Sequence, residues 1–471
     1  MRSSLRSRAA VSRRAPNVVI VLADDMGYGD FGLFNEGRCS SPHLDGLARE
    51  GVCLTQHYSG SPVCAPARAS LLTGRYPHRT GAIDTLHGRG LDRISLSETT
   101  IADLFRAAGY RTGLVGKWHN GALDTRFHPN ARGFDEFVGF SGGFSDYYAY
   151  WLDRNGVERE GDGRYLTDVL TEHAVSFLRR HRTSPFFLLV AYNAPHFPMQ
   201  GPEEIVARYV SRGETLGAAL VYAMIEVLDA GVGRIDETLH ELGLADDTIL
   251  LFTSDNGPYL GEVEGVSLDR FNFGWRGAKH YVFEGGIRVP AVVRWPDRLE
   301  GGRLVDDLLH FTDWLPTLAT AAGAPLPAAP LDGNDVLGVL AGAGGAVEPR
   351  RFWQCNRYAP RIEANAAMRD GDWKLVRPAV PATMAVTDAD RTIDRALNLR
   401  RPERITEVDR SPLPEAELAD PPAPLLFDLA ADPFEQVDLA AEHPDRVARM
   451  SAELERWFES VEADRAGIRD A

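Results

Sequence analysis

Asn17-Val18-Val19-Ile20-Val21-Leu22-Ala23-Asp24-Asp25 is an apolar, β-branched run that ends in two carboxylates. It reads as a core strand leading directly into acid groups at a sheet edge. Outward from it, short apolar runs alternate with amphipathic stretches. That is the pattern of an α/β fold with a large, mostly parallel sheet sandwiched by helices. Further strands are predicted at Arg111–Val115, Phe186–Tyr192, Thr248–Thr253 and Pro290–Trp295. Helices are predicted at Pro42–Glu50, Ala65–Leu72, Thr100–Ala108, Tyr165–Arg180, Leu216–Leu242 and Thr312–Ala322, with Gly51, Gly109 and Gly323 as stops.

A linker falls at Ala341-Gly342-Ala343-Gly344-Gly345. Beyond it, Arg351–Tyr358, Asn365–Arg369, Trp373–Arg377 and Leu425–Leu429 read as short antiparallel strands, and His443–Val461 as a closing helix. The expected organisation is a disordered N-terminus over residues 1–16, a main domain over 17–345 and a smaller C-terminal antiparallel-sheet-plus-helix subdomain over 346–471. Residues 378–424 show no periodicity and are expected to form a long loop, either on the surface or as a wall of a cleft.

The length of 471 residues suits two domains, and 44% apolar with 25% charged residues is ordinary for a soluble protein. A net charge of −16 argues against a nucleic-acid partner and against docking on an anionic membrane. An anionic polymer would have to bind through a local basic pocket. Residues 1–16 are rich in arginine and free of acids, but no separate apolar segment with a cleavage site follows. A twin-arginine reading of Arg13-Arg14 fails because cleavage there would remove the strand. No apolar run looks long enough to span a bilayer, so the expectation is a cytoplasmic, soluble protein. The four cysteines, Cys39, Cys53, Cys64 and Cys355, lack paired metal or disulfide spacing, which leaves a Cys39–Cys53 bridge open.

In open parallel sheets, ligands bind beyond the C-terminal ends of the strands. Four polar clusters stand there: Asp24-Asp25, Gly116-Lys117-Trp118-His119, Asn193-Ala194-Pro195-His196 and Asp255-Asn256-Gly257. Each alone is ordinary turn chemistry; four on one edge are not. Asp24, Asp25, Asp255 and Asn256 are hard oxygen donors suited to Ca²⁺ or Mg²⁺. Lys117, His119, His196 and Lys279, the last in Arg276-Gly277-Ala278-Lys279-His280, supply positive charge and proton transfer. Cys64-Ala65-Pro66-Ala67-Arg68, running on to Thr73-Gly74-Arg75, adds a cysteine at a helix start. Pro66 suits a first helical turn and Gly74 a helix end. The helix dipole and Arg68 favour an anion or a reactive group beside Cys64.

The runs Asn17–Asp25, Cys64–Arg75, Gly116–His119, Pro195-His196, Ser254–Gly257 and Glu284–Pro296, in that order, resemble the type I, formylglycine-dependent sulfatases of the alkaline-phosphatase superfamily. Asp313–Ala319, Met368–Val376 and Leu426–Leu439 match more weakly. The resemblance is strongest to bacterial carbohydrate sulfatases and arylsulfatase A-like enzymes. It implies an alkaline-phosphatase-like fold and a catalytic domain over 17–345. It further implies that Cys64 is converted to formylglycine by a maturation enzyme, and that Ca²⁺ (Mg²⁺ is also suited) binds Asp24, Asp25, Asp255, Asn256 and the modified Cys64. Arg68 would hold the formylglycine hydrate, and Lys117 and Lys279 the sulfate oxygens. By the family mechanism one hydroxyl of the hydrate attacks sulfur, and His196, helped by Lys279, protonates the leaving oxygen. His119 then takes a proton from the second hydroxyl, sulfate departs and the aldehyde returns.

The implied substrate is a sulfated small molecule or saccharide. Asn120, where the family usually has leucine after Lys-Trp-His, together with Tyr192–Gln200, points to carbohydrate sulfates of galactose type. A family serine that touches the nucleophile matches Ser141 or Ser145. Three competing readings stand beside this one: a phosphonate or phosphate monoester hydrolase with the same nucleophile and metal, an unmodified cysteine hydrolase, and an inactive ion-binding relative.

Overall fold

Strand β1 (Asn17–Ala23) is buried along its whole length, because both faces of the sheet it centres are covered. The computed structural model describes residues 15–345, 347–399, 405–418 and 421–470. Most of the N-terminal stretch expected to be disordered, residues 1–14, lies outside them. Pro16 is already held, its carbonyl accepting from the Tyr110 hydroxyl at 3.0 Å.

Nine further strands complete the sheet: β2 (Val52–Leu54), β3 (Arg111–Lys117), β4 (Glu136–Phe140), β5 (Trp151–Arg154), β6 (Val157–Glu160), β7 (Phe186–Ala191), β8 (Thr248–Ser254), β9 (Ala291–Arg294) and β10 (Arg303–Val305). Their spatial order is β10-β2-β9-β8-β1-β7-β3-β4-β5-β6. The central five, β8 through β4, are mutually parallel, with Val18 opposite Phe187 and Ala23 opposite Ser254. Antiparallel pairs appear towards the edges, at β9 and in the β5–β6 hairpin. The alternation along β1 divides the core. Val18, Ile20 and Leu22 face one side, with α2 (Cys64–Thr73), α3 (Ile101–Ala107) and α6 (Trp314–Ala322). Val19, Val21 and Ala23 face the other, with α1 (Pro42–Glu50), α4 (Leu166–His181) and α5 (Leu216–Glu241).

The predicted α/β sandwich is therefore what forms, with most predicted strands and helices found within a few residues. Helix α5 corrects one expectation. By length and composition it is long and apolar enough to cross a membrane, yet 72% of its most apolar window is buried inside the protein. It is a core helix that lies against α1 and α4. The strands at 136–160 were not foreseen; β6 is wholly exposed, so it carries no apolar period. The four cysteines are free and buried, so no Cys39–Cys53 bridge forms.

Beyond the linker, β11 (Arg350–Gln354), β12 (Ala366–Asp370), β13 (Trp373–Arg377) and β14 (Leu425–Asp428) make a four-stranded antiparallel sheet. The C-terminal helix, Pro444–Ala466, closes it with Met450, Leu454, Trp457 and Val461, one apolar stripe. Lys374 of β13 pins this sheet to the main body. Its Nζ lies 2.8 Å from both Glu284 Oε1 and Glu435 Oε1, in a wholly buried cluster. Burial would raise Glu284, but Lys374 and Arg288 override it and hold it at about 2. Burial lifts its neighbour Glu435 to about 7, so the lysine faces one firm carboxylate and one that holds its proton more readily.

Residues 378–424 do not form an unbroken loop. A 3-10 turn (Pro381–Met384) leads to helix α7 (Asp388–Asn398), capped by Thr387, whose hydroxyl accepts from the Asp390 N–H. The helix brings Ile393 and Leu397 up to Gly88, but most of the groups that dock it are polar: Asp390, Asp394 and Asn398, spaced four apart. Asp390 accepts from Arg89 Nε at 2.6 Å and from the Tyr358 hydroxyl at 2.7 Å. Asp394 Oδ1 accepts from the Gly88 N–H at 3.0 Å, and Asn398 Oδ1 accepts from the Gly143 and Phe144 N–H groups at 2.6 and 3.1 Å.

Candidate active site

The C-terminal ends of four neighbouring strands deliver one cluster of charge. β1 ends at Asp24 and Asp25, β8 at Asp255 and Asn256, β3 at Lys117 and His119, and the turn after β7 at His196. Helix α2 adds Cys64 and Arg68 from its first turns, and the loop after Arg276 adds Lys279. All ten predicted site residues thus meet at one place, and all but the partly buried His196 are 7% exposed or less.

The backbone is bent to allow it. Asp25 and His119 both have left-handed backbone, with φ of 66° and 56°, a costly conformation for non-glycine residues that persists where the surroundings enforce it. Gly116, with φ of 109°, precedes Lys117; a Cβ there would stand 1.9 Å from the Ala191 carbonyl oxygen, so only glycine fits. Helix α2 ends at Gly74, also left-handed (φ 68°), which fixes its length and hence where Cys64 sits.

Three carboxylates are matched by three cations. Lys117 Nζ donates to Asp24 Oδ2 at 2.7 Å. Lys279 Nζ donates to Asp25 Oδ2 at 2.8 Å. Arg68 Nε and Nη2 donate to Asp255 Oδ2 at 2.9 and 2.8 Å. Cys64 sits among them: its Sγ is 3.5 Å from Asp24 Oδ1, 3.9 Å from Asp25 Oδ1 and 3.3 Å from Lys279 Nζ. The two adjacent aspartates differ. Burial pushes Asp24 well above the usual carboxylate range; Lys117 opposes this and Asp255 adds to it. At Asp25 burial also acts upward, but Lys279 and then His196 override it and hold the group below that range.

This donor set fits a hard divalent cation. Asp24, Asp25, Cys64 and His196 offer potential ligand atoms within 4.8 Å of one another. Asn256 Oδ1 is buried with no hydrogen-bond partner among the described residues, while its Nδ2 donates to Asp25 Oδ1 at 2.7 Å. A cation beside Asp24 would offset the burial that disfavours its charge, and Asn256 Oδ1 would gain a partner. Asp255 is more committed than the sequence suggested, since it accepts from Arg68 and, at 3.2 Å, from the Asp25 N–H.

The histidines are held differently. His119 Nε2 lies 3.1 Å from the Thr85 carbonyl oxygen, which fixes the proton on Nε2 and leaves the buried Nδ1 unpartnered. Burial first, then Lys117 and His87, keep His119 well below its ordinary value and so neutral. His196 Nδ1 lies 2.8 Å from the Phe197 carbonyl oxygen, and its Nε2 is 3.7 Å from Asp25 Oδ2. Burial lowers it, Lys279 adds to that, and Asp24 and Asp25 pull the other way.

A cavity of about 400 Å³ opens above Cys64, Asp25, Lys279, His119 and His196. Its lining includes the polar His87, Asp394 and Asn398 and the apolar Phe144, Phe197 and Met199. Phe197 and Met199 lie in the Tyr192–Gln200 run that the sequence singled out, whereas His87, Phe144, Asp394 and Asn398 lie in loops and in α7, where no motif marks them. Asn120 does not line the cavity. It is buried, and its Nδ2 donates to the Ala65 and Asp92 carbonyls at 3.0 and 3.1 Å, so it ties the β3 turn to α2. Ser141 and Ser145 line a neighbouring cavity, and no hydrogen bond joins either to Cys64.

Comparison with known proteins agrees with this geometry. The family model described as Sulfatase matches residues 16–324. Steryl-sulfatase of Mus musculus is 31% identical over 558 residues, covering 98% of this chain and 84% of its own. N-acetylgalactosamine-6-sulfatase of Mus musculus is 34% identical over 365 residues, covering 71% of this chain and 68% of its own. Among solved structures, Ps i-CgsB in complex with k-i-k-neocarrahexaose has a TM-score of 0.78 and 27% identity, covering 97% of this chain and 94% of that one. With the match spanning the strand ends, α2 and the Lys279 loop, the chain belongs to the sulfatase family, the hydrolases of sulfate esters.

Proposed function

We propose that this sulfatase cleaves a sulfate monoester of a carbohydrate, of galactose type, using a formylglycine derived from Cys64 and a bound Ca²⁺. The observation that carries the reading is the setting of Cys64. Its sulfur lies at the base of a cavity, 3.3 Å from a buried ammonium and 3.5 Å from a buried carboxylate. The modified side chain would supply a nucleophile that can be regenerated, because its hydrate carries two hydroxyls on one carbon. The cation, held by Asp24, Asp25, Asp255 and Asn256, would supply Lewis-acid polarisation of a sulfate oxygen.

The remaining work falls to residues of this chain. Lys117 and Lys279 neutralise sulfate oxygens at the buried base of the cavity, where preorganised charge counts for most. Arg68, anchored on Asp255, orients the group at position 64. His196 presents Nε2 to the cavity and moves a proton to the leaving oxygen; the anionic substrate favours the imidazolium that this needs. His119, neutral and with Nδ1 free, accepts a proton from the second hydroxyl. The carbohydrate reading is supported by the names of two relatives: one enzyme that acts on an N-acetylgalactosamine 6-sulfate, and one bound to a neocarrahexaose.

Mass spectrometry of the Cys64 peptide, paired with turnover of 4-nitrophenyl sulfate, tests the nucleophile. Activity should rise in proportion to the converted fraction, and full activity in protein carrying only the thiol overturns it. Comparing kcat/KM for a sulfate ester, a phosphate monoester and a phosphonate ester tests the reaction class, with the sulfate expected to be preferred.

A further inference from the structure

The walls of the cavity carry information that the catalytic groups do not. The relatives bear names as different as steryl-sulfatase and N-acetylgalactosamine-6-sulfatase, so family membership leaves the leaving group unspecified. The decision has to lie in side chains that face the leaving group and take no part in the chemistry.

His87 is the most conspicuous of these. It is 2% exposed and lines the cavity, yet neither ring nitrogen has a hydrogen-bond partner among the described residues. A buried polar group without a partner is rare and costly, and it points to a partner that arrives later. The nearest carboxylate, Asp394 Oδ1, is 3.8 Å from Nδ1, beyond hydrogen-bond distance. His87 also sits beside the proton carrier, its ring 6.0 Å from that of His119.

Asp394 is presented on a firm support. It lies on α7 between Asp390 and Asn398, which anchor the helix to Arg89 and to the backbone of residues 143–144. Its Oδ1 accepts from the Gly88 N–H, and Oδ2 has no hydrogen-bond partner among the described residues. Gly88 allows the close approach: a Cβ there would stand 2.7 Å from Ile393 Cγ2. The same cavity carries an aromatic surface, with Phe144 stacked on His196 at 5.8 Å and packed edge-on to Phe197 at 5.2 Å. A cavity lined by both polar groups and aromatic rings matches a pyranose ring, which offers hydroxyls at its rim and C–H groups on its face. A steroid has no hydroxyls to satisfy His87 and Asp394 beside its ester.

We infer that His87 and Asp394 are the specificity residues of this enzyme, together binding a hydroxyl of the sugar next to the sulfate ester, with His87 donating and Asp394 accepting. The inference rests on the carbohydrate reading above and deepens it.

The test uses His87→Ala, Asp394→Ala and the milder Asp394→Asn in protein of measured Cys64 conversion. The substrates are 4-nitrophenyl sulfate, galactose 6-sulfate and N-acetylgalactosamine 6-sulfate. The readout is the ratio of kcat/KM on the better sugar to kcat/KM on the aryl sulfate, which cancels any general loss from a loosened α7. The ratio should fall at least about tenfold in each alanine variant, and less in Asp394→Asn, which keeps one acceptor. An unchanged ratio in both alanine variants overturns the inference, since it marks His87 as a mere prop for His119 and Asp394 as a mere anchor for α7. A wild-type enzyme that cleaves the aryl sulfate but neither sugar overturns the galactose-type carbohydrate reading, and the inference with it.

Discussion

The base of the cavity and its α7 wall are built on opposite principles. The base hangs from the ends of four strands in the most buried part of the molecule, and its charges are paired: Lys117 with Asp24, Lys279 with Asp25, Arg68 with Asp255. The wall is a short helix from a weakly patterned segment, docked by Asp390, Asp394 and Asn398, beside His87, whose ring nitrogens have no hydrogen-bond partner among the described residues. A paired and buried base can be shared across a family whose members take different leaving groups. On the reading proposed above, the wall is where the leaving group is chosen, and reaction and substrate are then encoded in separate structural layers.

Substitutions should separate the two layers, and the largest effect belongs to the base. Cys64→Ser should lower multiple turnover by about four orders of magnitude or more on aryl and sugar sulfates alike, because the regenerating chemistry is lost. Turnover by that variant within tenfold of wild type would remove position 64 from the base altogether. Chelation comes next. Exhaustive treatment with EDTA should cut activity by about a hundredfold or more, and Ca²⁺ should restore it better than Zn²⁺, given the oxygen donors. Retention of full activity in demonstrably metal-free protein would break this.

His196→Asn should cost about 10²–10⁴ in kcat on a sugar sulfate and distinctly less on 4-nitrophenyl sulfate, whose leaving group needs little protonation. Equal losses on both would move His196 from proton transfer to binding. The smallest effect lies in the wall. Asn398→Ala removes the acceptor for the Gly143 and Phe144 N–H groups. It should raise KM for the sugar by less than about tenfold with kcat nearly unchanged, the signature of lost uniform binding. A kcat effect as large as that of His196→Asn would erase the distinction between the layers.

The two layers were also unequally legible in the sequence. The base could be read because strand ends carry short polar clusters after apolar runs, and Asp24, Lys117, His196 and Asp255 each stood in such a place. Cys64 could be read from its run to Arg75. Lys279 had weaker support, a glycine-containing loop, and still fell beside Cys64. The wall was illegible for a physical reason. Helix α7 docks largely through carboxylate and amide groups, and its apolar stripe, Ala389, Ile393 and Leu397, is short and set among many charged residues. His87 sits in a single 3-10 turn (His87–Arg89), too short for any pattern. The membrane-length apolarity of α5 shows the reverse error, since composition alone does not tell a core helix from a spanning one. Asn120 teaches caution about single departures from a family pattern: it supports α2 and never reaches the cavity.

The burial of Cys64 has a consequence in time. Its side chain is 1% exposed, and all ten residues of α2 are enclosed by the sheet and its neighbouring helices. A small ester can enter the cavity above it, but a second protein cannot bring its own reactive centre to that sulfur. On the proposed reading, whatever converts the residue has to meet the segment from Cys64 to Arg75 while it is still an extended chain, during synthesis or before collapse. Folding would then act as a deadline: a molecule that closes around an unconverted thiol would stay sealed in that form until it unfolds.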